Sequence, residues 1–354
     1  MNGAARHGAD ACRPADDALS ALCAPLFASL PRSDQRERFV KYVEGLLVTE
    51  GRRSFRNMAA CLGGGPTLEQ RLHHFVSCST WDWMPVRRAL TTQVTAATPP
   101  DAWVLRPLLA PKEGSSTVGV HRRHVPDVGH LLNVQYAVGL WAVCDRRCHP
   151  VNWRLLLPRT WTADPTRRAR TSIPEGDHPE SPTECATAAC FDLLAGARDP
   201  LPGAPVVVAV EDIDAFSVIR QLRAARLPFL VRVEPGDVPT VPGAGRAAPV
   251  RVRLPDRRAD EVSGAGDLLL FHRSTGAEPW PDEVWLTDLV DADPAELAGL
   301  AASARAVDAS FARVTDPLGA RDFTGRTFDG WNRHMTLVSV AHTARTATDS
   351  SPRL

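Results

Sequence analysis

The chain has 354 residues, 44% of them hydrophobic, and its 41 Lys and Arg balance its 41 Asp and Glu. That hydrophobic share supports a packed core and excludes a disordered chain. A net charge of zero excludes bulk attraction to a polyanion and leaves only local patches for nucleic acid. No stretch approaches the roughly 18 apolar residues of a membrane helix. Met1 to Asp10 lacks the apolar core of a signal peptide, and the eight Cys are scattered without a secreted spacing. A reduced, cytoplasmic protein is therefore expected. Only Lys41 and Lys112 are Lys; so Arg-rich a chain, also rich in Ala, Pro and Gly, reads as a GC-rich coding sequence.

Residues 1–15 read as a disordered leader. Leu19, Leu22, Leu26 and Leu30 fit a short helix that Pro25 kinks or divides. Gln35 to Thr49 is amphipathic, with Phe39, Tyr42, Val43 and Leu46 on one side. Helices follow over Ser54 to Leu62, Thr67 to Ser77 and Pro85 to Val94, the second capped by Thr67 with Gln70 at its third position. The spacing thus predicts a helical N-terminal domain over 16–98, either a DNA-binding headpiece or a helical cap.

Strands are predicted next: Ala102 to Leu109, Val118 to Val120, Asn133 to Val143, and Val151 to Leu157, closed by Pro158. Short loops between them suggest a meander on one side of a mixed sheet. Thr183 to Ala195 is a helix. Val206 to Val210 is a buried strand, β-branched throughout except for Ala209, with Glu211 and Asp212 just beyond it. Ala215 to Ala225 is a helix and Phe229 to Val233 a strand, giving a βαβ unit and so a parallel pair. The region around 235–290 reads as a β or irregular insertion, with edge strands at Asp267 to Phe271 and Val284 to Leu289. Glu296 to Val314 and Thr327 to Ala344 are helical, and 346–354 is a flexible tail.

Several residue groups carry chemistry. Arg146, Arg147, Arg154, Arg167, Arg168 and Arg170 interleave with Trp153 and Trp161. Such a stretch either holds a polyanion or forms a solvated loop. His121, His124 and His130, with Asp127, suit a proton shuttle or metal if their loop enters a cleft; otherwise they are surface groups. Cys144 and Cys148 beside His149 lack the second cluster of structural zinc and read as a buried pair of thiols. Phosphate-cradling Gly motifs of ATPases and nicotinamide enzymes are missing, as is the Gly-x-Ser-x-Gly elbow.

A set of ordered segments is more specific: Trp81-Asp82-Trp83, Asn133-Val134-Gln135, Asn152 to Pro158, Gly325-Arg326-Thr327, and Asp329 to Leu337, followed by Val338 and Ala341-His342. Over residues 25–345 the chain resembles the IS701-type transposases of bacterial insertion sequences. The resemblance implies a DDE domain of ribonuclease H-like fold over 99–345: an α/β mixed sheet flanked by helices. In such enzymes two Asp and a Glu hold two divalent metals that activate a nucleophile and stabilise the leaving oxygen. The first acidic pair falls here on Arg106 and Pro107, before the turn Pro111-Lys112-Glu113-Gly114. The second acid falls on Val210 and the third on Asp308, with Phe311 in register and Thr315 in place of a following Lys.

The resemblance therefore implies a transposase-derived protein without two-metal cleavage and without a cofactor, DNA-binding or regulatory in role. One alternative is an enzyme acting on a small molecule through a remodelled cleft with Arg106, His124, Glu211, Asp212 and Asp308. Another is a transposase with displaced ligands, Asp308 with Glu211 or Asp212, that still uses Mg²⁺. A fourth reading is a decaying gene product with no selected role. The partners to test are double-stranded DNA, a small-molecule substrate and a second copy in a homodimer; a membrane is not among them.

Overall fold

In a computed structural model, the residues described are 13–125, 128–194, 203–234, 236, 249–252, 267–273 and 283–348. Most of the expected leader, the end of the tail and much of the insertion lie outside them, as does Asp127.

The front half of the chain follows its apolar periodicity. Helix α1 (Arg13–Cys23) starts inside the expected leader, and Pro25 divides it from a 3₁₀ turn at Ala24–Ser29. Helix α2 (Ser33–Val48) buries Phe39, Tyr42, Val43 and Leu46. Helices α3 (Phe55–Cys61) and α4 (Pro66–Ser77) come next. The cap of α4 is Gly65 rather than Thr67, because Pro66 already has the φ of a first helical residue. Helix α5 (Trp83–Ala97) is capped by Asp82, whose carboxylate accepts from the Met84 amide at 2.9 Å.

Nine strands among the described residues form one mixed sheet. They are β1 (Ala102–Pro111), β2 (His121–Val125), β3 (His130–Cys144), β4 (Arg147–Leu155), β5 (Val206–Val208), β6 (Phe229–Val233), β7 (Val250–Val252), β8 (Leu268–Arg273) and β9 (Glu283–Thr287). Strands β4, β3 and β1 are antiparallel neighbours, and β5 and β6 run parallel to β1. Spatial order β4-β3-β1-β5-β6 is the ribonuclease H-like arrangement. Eleven consecutive residues of β3, Val134 to Cys144, are buried, so both faces of the sheet are covered. The covering helices include α8 (Pro182–Leu194), α10 (Pro294–Ser310) and α11 (Phe328–Thr348), which pack on β1, β3 or β4. Helix α9 (Ala215–Ala224) packs on β6, and two short helices, α6 (Arg159–Thr162) and α7 (Pro165–Thr171), follow β4.

Three sequence expectations are corrected. Val118 to Val120 is a turn, not a strand: Gly119 takes φ +76°, and a Cβ there would press on Leu155. The strand is instead the polar His121–Val125, held by pairing to β3. Strand β5 stops at Val208, two residues early. Neither β8 nor β9 is an edge, because β7 lies outside β8 and β9 sits between β6 and β8. Among the described residues no helix is long and apolar enough to cross a membrane.

Candidate functional site

The expected cleft lies where β5 ends against the middle of β1, beside the last turns of α10. Arg106 lies in the middle of β1, and its side chain is 18% exposed. Its Nε donates to Asp308 Oδ1 at 2.5 Å, and its Nη1 donates to the Pro107 carbonyl at 2.6 Å. The guanidinium lies 4.1 Å from the centre of the Phe311 ring. Arg321 approaches the same ring at 5.1 Å, pairs with Asp316 and donates to the Leu109 carbonyl at 2.9 Å. Two cations thus share one aromatic ring, and each has its own carboxylate. Burial pulls the Arg106 pKa down, and Asp308 opposes that shift. Phe311 opens a π-helical turn, Phe311–Thr315, that follows α10.

The second acid position is apolar. Val210 is 3% exposed. The acids after it are directed to separate partners. Glu211 faces Arg232 at 4.0 Å. Asp212, at φ +58°, pairs with Arg123 at 2.5 Å, and that guanidinium stacks on Tyr136. Asp214 caps α9 through the Ser217 amide at 3.0 Å. A pair of divalent cations needs several hard oxygen donors converging on one point. Among the described residues, Asp308 is paired with a guanidinium, and the second acid position is a buried valine. Among the described residues no three His, Cys, Asp or Glu are grouped to hold a metal. The described residues of the cleft do not fit the two-metal set.

The histidines are not brought to this cleft. His124 pairs with Leu131 in the β2–β3 hairpin, whereas Arg106 pairs with Gly139. Those β3 partners are eight residues apart, about 26 Å along an extended strand. His124 and His130 are exposed, and His121 bonds the Gly119 carbonyl at 3.0 Å.

The arginine stretch divides. Arg154 is held by Glu180 and by Asp192, the latter at 2.7 Å. Arg168 donates to the carbonyls of Thr162, Asp177 and Pro174, and Arg167 lies over Trp161. Trp153 and Trp161 are core residues, each 2% exposed, and offer no stacking platform. Arg146, Arg147 and Arg170 remain exposed.

The segments that carry the family resemblance turn out to build a junction rather than a cleft. Arg87 of α5 is buried and makes five hydrogen bonds to neutral acceptors. They are Thr336, the Asn152 amide, the Trp153 carbonyl, and both the carbonyl and side chain of Asn332, at 2.7 to 3.1 Å. Burial pulls its pKa down to about 9, so it stays charged at neutral pH. Arg333 ties α11 to the Trp81 and Val76 carbonyls and to Asp329. His334 lies between the Tyr42 hydroxyl and the Gly319 carbonyl, both at 2.9 Å. A carbonyl only accepts, so Nε2 carries the proton and Nδ1 accepts from Tyr42. His342 repeats the pattern between Thr315 and the Cys148 carbonyl. Burial lowers these imidazoles to about 4 and about 3. Asn152 donates to Ala189, and Gln135 to Val118. Sequence reading missed Arg87; an Arg at a core-facing helix position, four residues after Trp83, was the available signal.

A family model described as DDE superfamily endonuclease matches residues 25–264. No curated protein matches the chain. Among solved structures, the chain is similar to piggyBac transposase in a cryo-EM structure of its synaptic complex with hairpin DNA. That match has 12% identity, 96% coverage of this chain, 73% coverage of the other, and a TM-score of 0.43.

Proposed function

We propose, from the premise that the chain belongs to the DDE superfamily endonuclease family, that it is a non-cleaving member acting by binding duplex DNA. The observation that carries this reading is the Arg106–Asp308 ion pair, together with a buried Val210, at positions where the family resemblance puts metal-binding acids. A guanidinium repels Mg²⁺ and occupies the carboxylate that would otherwise ligate it. The order of the signature segments supports an IS701-type affiliation. Arg146, Arg147 and Arg170, exposed on the β3–β4 turn and on α7, are the groups offered to phosphates. A regulatory role in the cytoplasm, without a metal cofactor, is the form such binding would take.

The test is fluorescence anisotropy with a short duplex at about 50 and about 200 mM salt. Three neutralised phosphates predict an affinity loss of about 40-fold between the two. Replacing Arg146, Arg147 and Arg170 together by Ala lowers the salt slope by about three. No binding at the lower salt overturns the DNA reading. Mg²⁺- or Mn²⁺-dependent strand cleavage that Asp308→Ala abolishes overturns the non-cleaving one and restores the displaced-ligand alternative.

A further inference from the structure

A cavity of about 330 Å³ opens between α5, the end of β4, residues 174–180 and the start of α11. That is the lower end of the range for small-molecule sites, about 300–1,000 Å³. Neither Arg106 nor Asp308 lines it, so it is separate from the cleft above. Its apolar lining comes from Trp83, Met84, Leu155, Leu157 and Phe328. Trp83 and Phe328 meet edge to face, with ring centres 6.1 Å apart.

The charges around it sort themselves by partner. Arg154 is neutralised by Glu180 and Asp192, and Arg87 is saturated by its five acceptors. Besides the exposed His178, two charges of opposite sign are left. Arg88 is exposed at the rim, and its guanidinium has no hydrogen bond or ion pair among the described residues. Asp177 is partly buried. Its main chain is fixed by a bond from Arg168 and by one to the Pro174 carbonyl, yet its carboxylate has no such partner among the described residues.

We propose that this cavity binds an α-amino acid with an apolar side chain. Its carboxylate lies on Arg88, its ammonium on Asp177, and its side chain against Trp83 and Phe328. An anion alone would face the Asp177 carboxylate, and a cation alone would face Arg88. A neutral apolar ligand would cover Asp177 without giving it a partner, which is costly. A dipolar ligand satisfies both groups and the aromatic lining. The proposal does not depend on DNA binding.

Calorimetric titration of the full chain with L-phenylalanine tests it, with 3-phenylpropionate and phenethylamine as analogues that each lack one charge. L-phenylalanine is expected to bind with a Kd of about 1 mM or lower. Each analogue should bind about tenfold or more weakly. Arg88→Gln and Asp177→Asn should each lose about tenfold, whereas Arg305→Gln on the exposed face of α10 should match the parent. Arg88 is at the surface, so its variant keeps the test open if Asp177→Asn fails to fold. The proposal is overturned if L-phenylalanine, L-leucine and L-tryptophan all give no binding up to about 10 mM. It is equally overturned if the analogues bind as well as L-phenylalanine, or if Arg88→Gln binds like the parent.

Discussion

Two buried or half-buried arginines define two contrasting regions. At the junction of α5, β4 and α11, Arg87 has no carboxylate within bonding distance among the described residues and is satisfied by five neutral acceptors from two elements, β4 and α11. In the cleft, Arg106 has one carboxylate, one carbonyl and the face of a ring. A guanidinium without a counter-ion needs every donor matched, so the junction depends on Asn152, Asn332 and Thr336 being present together. The cleft pair is open to water on the Asp308 side and needs only one partner. The junction is thus intolerant of exchange and the cleft tolerant of it. Exchange in the cleft should therefore disturb the fold less than exchange at the junction.

The contrast can be broken most severely at Arg87. Arg87→Met leaves several buried acceptors unpaired and should cost about 3 kcal/mol or more in urea unfolding. A loss below about 1 kcal/mol would show that the junction is not what holds the front helices to the sheet.

The next effect is a dependence on pH. His334 and His342 are buried neutral, with folded pKa values of about 4 and about 3 against 6.5 in the unfolded chain. Between those values the unfolded state binds more protons, so stability falls as pH drops below about 6.5 and goes on falling until the folded values are reached. The slope should be about 1.4 kcal/mol per pH unit for each imidazole. His334→Gln should remove its share, read from unfolding midpoints at about pH 7 and about pH 5.

The smallest effect belongs to the cleft. Asp308 is 59% exposed, and Asp308→Asn should cost no more than about 1 kcal/mol. It should leave DNA affinity within about twofold of the parent. A larger loss of stability would make the cleft pair as structural as the junction.

Much of the fold was legible because it obeys local periodicity. The apolar stripe of α2, the Pro25 break and the βαβ unit of β5, α9 and β6 are all written in neighbouring residues. Strand β2 was not legible, since His-Arg-Arg-His-Val has no apolar alternation and becomes a strand only by pairing with β3. Arg106 and Asp308 were singled out separately by the family resemblance, and their pairing across 202 positions joins them. The partners of Arg154 were not readable: Glu180 and Asp192 lie 26 and 38 positions away. Arg87 finds acceptors up to 249 positions along the chain, beyond any local pattern.

Val210 has a consequence of its own. It sits at 3% exposure just past β5, so a carboxylate placed there alone would be desolvated and held in its neutral form, a poor ligand. An acid at position 106 alone would set two like charges against each other beside Asp308. Each step toward a metal centre is therefore unfavourable until the others and the cation arrive together. The cleft tolerates the loss of its charges, whereas the gain of a metal centre there would draw its stability from the acids and the cation together.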